Sequence, residues 1–152
     1  METLKTIDVL NKLVEINNDR IEGYETAAKE TDETELETMF LQFAHTSRKC
    51  REGLSREIMR LGGTPTEGTK VSGKFFRAWM DVKAAITGKD RKAILESCEF
   101  GEDNAADTYE DVLKDNREYL TEEQRTMVSS QYAMIKADHF RVKTMRDSLT
   151  TV

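Results

Sequence analysis

Glu99-Phe100-Gly101-Glu102-Asp103-Asn104-Ala105-Ala106-Asp107-Thr108-Tyr109 is the stretch whose reading decides the fold. Upstream Ile94, Leu95 and Cys98, and downstream Val112 and Leu113, join Glu102, Ala105 and Tyr109 at spacings of three and four, the mark of one helix face. That face is apolar except for the carboxylate of Glu102, so the spacing predicts a long helix carrying a buried acid. The helix starts after Asp90, a plausible cap, and runs to about Asn116.

Working outward, Thr121-Glu122-Glu123-Gln124 has the spacing of a capping box and opens a further helix. Its expected inner face is Val128, Tyr132, Ile135, His139, Val142, then Met145 or Arg146, and Leu149. On the N-terminal side, Leu10, Val14, Asn17, Ile21, Tyr24 and Ala28 mark a helix from about Thr6 to Lys29. Thr31-Asp32 is a short break, and Asp32 with Glu35 three positions on can cap the next helix, which covers about Glu33 to Leu61. There Leu36, Phe40, Phe43, Ser47, Cys50, Leu54, Ile58 and Leu61 face inward, Met39 flanks them, and His45 falls on the opposite, exposed side. Acids gather in its first turns and bases in its second half, an order that suits the helix dipole.

Gly62-Gly63-Thr64-Pro65 ends that helix. A loop is expected through Gly73, followed by a shorter helix with Phe75, Phe76, Trp79, Val82 and Ile86 on one side, ending near Gly88. Lys74-Phe75-Phe76-Arg77-Ala78-Trp79 is basic and aromatic, a composition compatible with lipid or RNA contact. The favoured reading is a crossover helix packing its aromatics over the end of a bundle. Short turns join neighbours and a connection of nearly thirty residues spans the bundle's length. An all-α, ferritin-like four-helix bundle follows, with the helices running up, down, down and up. It forms one domain over 1–152, with a hairpin at 6–61, a crossover at 62–89 and a hairpin at 90–149. The halves also echo each other: Tyr24, Glu25 and Lys29 recur as Tyr109, Glu110 and Lys114.

Composition agrees. The 152 residues are 38% hydrophobic and 34% charged, with one proline and eight glycines, which favours long helices with one apolar stripe each. The formal charge of -6 argues against a duplex nucleic-acid binder. No run reaches the roughly 18 apolar residues of a membrane span. Met1-Glu2-Thr3 opens no secretory signal, and Cys50 and Cys98 read as buried thiols, so a cytoplasmic protein is expected.

The repeat makes Asn17 equivalent to Glu102 and Ser47 equivalent to His139, one inward polar group per helix. Di-iron bundles use this layout with a Glu from each of two helices and Glu-x-x-His from each of the others. Here Asn17, Ala44, Ser47 and Lys136 stand where ligands are required, leaving only Glu102 and His139. Two readings remain. Asn17, Tyr24, Ser47, Glu102, Tyr109, Tyr132 and His139 form a buried polar network that fixes helix register. Alternatively, Glu102 and His139 hold one divalent metal with a water or a carboxylate neighbour. Counting from the last turn, His139 lies nearer the level of Cys98 than that of Glu102, so direct contact requires a favourable rotamer or a water. Neither cysteine belongs to a Cys-x-x-Cys pair, and no phosphate-cradling glycine pattern is present. Asp107, Glu110, Asp111 and Asp115 read as a solvated acidic face.

Leu61-Gly62-Gly63-Thr64-Pro65, Trp79 through Gly88, Gly101-Glu102-Asp103 with Tyr109, and Gln131 with His139 together resemble a bacterial ferritin-like four-helix-bundle family, domain of unknown function 2383. The resemblance implies a ferritin-like fold and a bacterial source, and it implies no reaction. The expected role is binding or assembly without catalytic turnover, through self-association or a protein partner and without nucleic acid. The alternative is a degenerate metal-binding protein or oxidase using Glu102 and His139. Association with a lipid surface ranks third.

Overall fold

The computed structural model describes residues 2–68 and 74–150, and side chains over 3–68 and 81–148. The expected loop at 69–73 and the side chains of Phe75, Phe76, Trp79 and Leu149 lie outside the described residues. Among the described residues five α-helices follow in order: α1 (Glu2–Glu30), α2 (Thr34–Arg60), α3 (Lys74–Thr87), α4 (Arg91–Asp115) and α5 (Glu122–Thr150), with a 3-10 turn (Arg117–Tyr119) before the last. The long helices form two hairpins, α1 with α2 and α4 with α5, with the short α3 between them.

Local chemistry sets the ends. After α2, the Gly63 amide donates to the Ile58 carbonyl at 2.9 Å and the Gly62 amide to Met59 at 3.0 Å. This is a Schellman closure, and Gly62 takes the left-handed φ of +87° that it requires. The same closure ends α3, where Asp90 donates to Ala85 and Lys89 to Ile86. There Lys89, at φ 56°, holds the left-handed position without glycine's freedom. Asp90 then caps α4 by accepting from the Ala93 amide at 3.2 Å. Thr121 and Gln124 form the reciprocal capping box at the start of α5, at 2.9 and 3.1 Å.

The expected Asp32–Glu35 capping pair does not form. The residue preceding α2 is Glu33, which makes no side-chain cap. Glu33 and Glu35 instead accept from Arg91, at 2.8 and 2.5 Å, which ties the start of α4 to the α1–α2 turn. At the opposite end Thr6 donates to the Tyr119 carbonyl, and Gln124 donates to Glu57 at 2.7 Å. These contacts require α4 to run alongside α2 in direction and α5 alongside α1, the expected up, down, down, up order.

The crossover climbs α1 as it leaves α2. Asn11 donates to the Thr64 carbonyl and accepts from the Thr66 amide. Two turns higher, Asn18 donates to the carbonyls of Thr66 and Gly68. That strap explains why α1 is buried on every side from Ile16 to Ile21, although one face alone was expected inside. The apolar interior forms two clusters. One gathers Val9, Leu10, Leu13, Leu54, Ile58, Val112, Val128 and Ile135. The other gathers Phe40, Phe43, Leu36, Leu95, Cys98 and Val142 with Val82 and Ile86 of α3. Polar side chains occupy the level between them.

Candidate functional site: the buried polar layers

Arg20 is the centre of the interior, and its guanidinium is 1% exposed. Its Nη2 donates to Glu102 Oε1 at 2.5 Å and to Asp138 Oδ2 at 3.1 Å, while Nη1 donates to Ser47 Oγ. Tyr24 Oη donates to the same Glu102 oxygen at 2.6 Å, and its ring lies 5.4 Å from the guanidinium carbon. Tyr24 is held in turn by Phe40 and Phe43, at ring separations of 5.8 and 5.2 Å. This layer takes one or two groups from each long helix: Arg20 and Tyr24 from α1, Ser47 from α2, Glu102 from α4 and Asp138 from α5.

A second layer lies one turn below on α1 and α2 and two turns below on α4 and α5. Asn17 donates to Tyr109 Oη at 2.8 Å, Tyr109 donates to Gln131 Oε1 at 2.8 Å, and Gln131 donates to the Cys50 carbonyl at 3.2 Å. It too joins all four long helices. A slip of one residue in any helix would strand at least one of these groups. Buried polar networks of this kind specify register more than they add net stability.

The electrostatics follow from burial. Arg20 loses hydration, which lowers its pKa, but Glu102, Tyr24 and Asp138 more than offset this and hold it well above the usual arginine value. Two carboxylates share that cation. Glu102, fully enclosed, has the closer contact; Asp138 is pushed up to about 6, by burial first and by Glu102 second, against the pull of Arg20. Burial likewise raises the Tyr24 and Tyr109 hydroxyls, and it raises the Cys50 thiol to about 11 and Cys98 still further. Neither thiol is an active nucleophile in this setting. Asn17 Oδ1, Arg20 Nε and Glu102 Oε2 have no hydrogen-bond partner among the described residues. Such atoms cost about 1–3 kcal/mol each.

Of the residues expected in a polar network, Asn17, Tyr24, Ser47, Glu102 and Tyr109 are buried in these two layers. Tyr132 and His139 are not among them. Tyr132 is partly buried against the first apolar cluster on the side of α5 that faces α4, donating to Glu110 at 3.3 Å with Lys136 against its ring. His139 is 24% exposed and places Nε2 2.6 Å from Asp103 Oδ1 on the flank between α4 and α5. Glu102 and His139 are thus committed to different partners, Glu102 to Arg20 and Tyr24 in the core and His139 to Asp103 on the adjoining face of α4. The reason is helical phase: α5 presents Gln131, Ile135 and Asp138 inward, so the next residue, His139, turns out. His45 is exposed, as expected, and so are Asp107, Glu110, Asp111 and Asp115.

Arg20, Gln131 and Asp138 were not anticipated. The signal was present for Arg20, which lies three residues after Asn17 and four before Tyr24 and therefore on their face. Its guanidinium supplies beside Glu102 the positive charge that a divalent cation would bring. Asp138, the second inward carboxylate, is paired to the same guanidinium, and Asn17, Ser47 and Gln131 are neutral, so the interior does not fit a carboxylate-bridged metal pair.

No curated protein matches the chain. A family match covers residues 5–115, from the first turn of α1 to the end of α4, and so includes Asn17, Arg20, Tyr24, Ser47, Glu102 and Tyr109. On that match, which spans well over half its length, the chain belongs to the family described as Domain of unknown function (DUF2383).

Proposed function

We propose that the protein is a ferritin-like four-helix bundle, one domain over 1–152, whose interior has exchanged metal chemistry for a structural ion-pair layer, and that it acts by binding or assembly without catalytic turnover. The observation that carries this reading is the Arg20–Glu102 pair. Glu102, fully enclosed, has one carboxylate oxygen taken by an internal cation and a tyrosine hydroxyl and the other sealed in the core, out of reach of a substrate in solution. Function then falls to the outer helix faces. Two buried thiols suit a reducing bacterial cytoplasm, and among the described residues no helix is long and apolar enough to cross a membrane.

Self-association is the form of assembly we favour. Leu41 on α2 and Phe140 on α5 are 47% and 68% exposed, on helices joined by the Arg141 to Gln42 hydrogen bond. Large apolar groups in such positions are common where helical bundles pair. Light scattering after size exclusion tests it. A dimer at tens of micromolar (roughly the range of a weak homodimer) is expected, with Phe140→Ser shifting it toward monomer. A monomer throughout would overturn the self-association reading.

A further inference from the structure

We propose that Glu99, Asp103 and His139 form a surface site for a single divalent cation of zinc type, on the flank between α4 and α5 and apart from the ion-pair layer. Glu99 and Asp103 are four residues apart on α4, so their carboxylates share one face, and His139 reaches them from α5. One ligand atom from each lies within 4.8 Å of the other two. One nitrogen and two oxygens form a donor set of the kind that zinc takes from protein, leaving a fourth position for water. Tetrahedral coordination at zinc requires ligand atoms about 3.3 Å apart, so the triad needs only side-chain rotation. The His139–Asp103 contact opens slightly while Glu99 draws in.

The surroundings fit the role. Glu99 is 17% exposed and His139 24%, so both are held by the helices, while Asp103, at 55%, leaves a path from solvent. Arg146 donates to Glu99 Oε2, which orients the carboxylate and leaves its other oxygen for the cation. Arg146 also brings a positive charge that opposes the cation. It is shared with Asp147 at 3.1 Å, so two carboxylates already face that guanidinium, and with Asp103 beside them the acids of the patch outnumber its arginine. The competing account is a protonated His139 paired with Asp103 beside a separate Glu99–Arg146 pair, and it predicts no zinc dependence. The site does not rest on the assembly reading, since its ligands come from one chain.

The chain has two histidines, so the imidazole nitrogen signals of the uniformly nitrogen-15-labelled protein assign readily. On adding zinc at neutral pH, the His139 nitrogens should shift and saturate at one zinc per chain, while those of exposed His45 stay in place. Calorimetry should then show zinc affinity falling at least about tenfold in His139→Gln and in Asp103→Asn, and unchanged in His45→Gln. His139 signals that do not move at saturating zinc, or variants that bind zinc as the parent does, would overturn the site. The nitrogen spectra of the unmodified chain decide the matter even if a variant folds poorly.

Discussion

Replacing Arg20 with methionine isolates the ion-pair layer. Methionine roughly matches the length of the arginine stem, so little packing is lost, but Glu102 keeps only the Tyr24 hydroxyl, and Asp138 loses its cation. Breaking a buried pair by removing one partner costs about 3–5 kcal/mol, because a charge is left uncompensated. In a chain of this size about 4 kcal/mol lowers the melting temperature by roughly 10 °C. Urea unfolding followed by helical circular dichroism should show the midpoint falling with the slope unchanged. Adding Glu102→Met to Arg20→Met removes the stranded charge. The double variant should therefore be no worse than Arg20→Met alone, giving a coupling of about 2 kcal/mol or more between the two positions. The cost of Arg20→Met should also shrink in acid, where protonation neutralises the abandoned carboxylates. A cost below about 1 kcal/mol, or a double variant equal to the sum of the singles, would refute the view that Arg20 holds this layer together.

Three further outcomes are expected. Asp138 has a folded pKa of about 6 against 3.8 for the free group, so its contribution is complete below the lower value and is lost as pH rises through the upper one. Between those values the stability of Asp138→Asn should rise relative to the parent by up to about 3 kcal/mol, and parallel pH profiles would contradict the assignment. Lys89→Gly should stabilise by about 1 kcal/mol in urea titrations, since it relieves a left-handed residue in the α3 closure. Gly63→Ala should destabilise by about 1–2 kcal/mol, because the added Cβ would stand 2.9 Å from Ile7 Cδ1 and Cγ2, and a neutral result would show that Ile7 can move aside.

The turns were legible because each rests on one or two residues acting locally. Gly62-Gly63 supplies the left-handed position that common helix closures require, and Thr121 with Gln124 needs only its own turn. The inner face of α2 was legible because it is apolar almost throughout, from Leu36 to Ile58. The start of α2 was misread for the complementary reason. Glu33 and Glu35 answer to Arg91, fifty-odd residues away, and no local rule contains that partner.

The polar layer was half legible, and the missing half has one physical cause. Alternating threes and fours can be counted along α1 as Leu10, Val14, Asn17, Ile21, Tyr24 and Ala28, or as Leu10, Leu13, Asn17, Arg20, Tyr24 and Ala27. Along α5 the choice is Val128, Tyr132, Ile135 and His139, or Val128, Gln131, Ile135 and Asp138. Apolarity favours the first count in α1, and in α5 it swaps a glutamine for a tyrosine. The structure centres its polar layers on the second in both helices. An arginine and an aspartate each argue against burial when weighed singly, because each alone would cost several kcal/mol to enclose. Enclosed together with Glu102 they compensate one another, and that term exists only between helices. A seam score that credits opposite charges at matching levels of different helices would have chosen Arg20 and Asp138. It would also have released His139 to the flank, where Asp103 and Glu99 meet it.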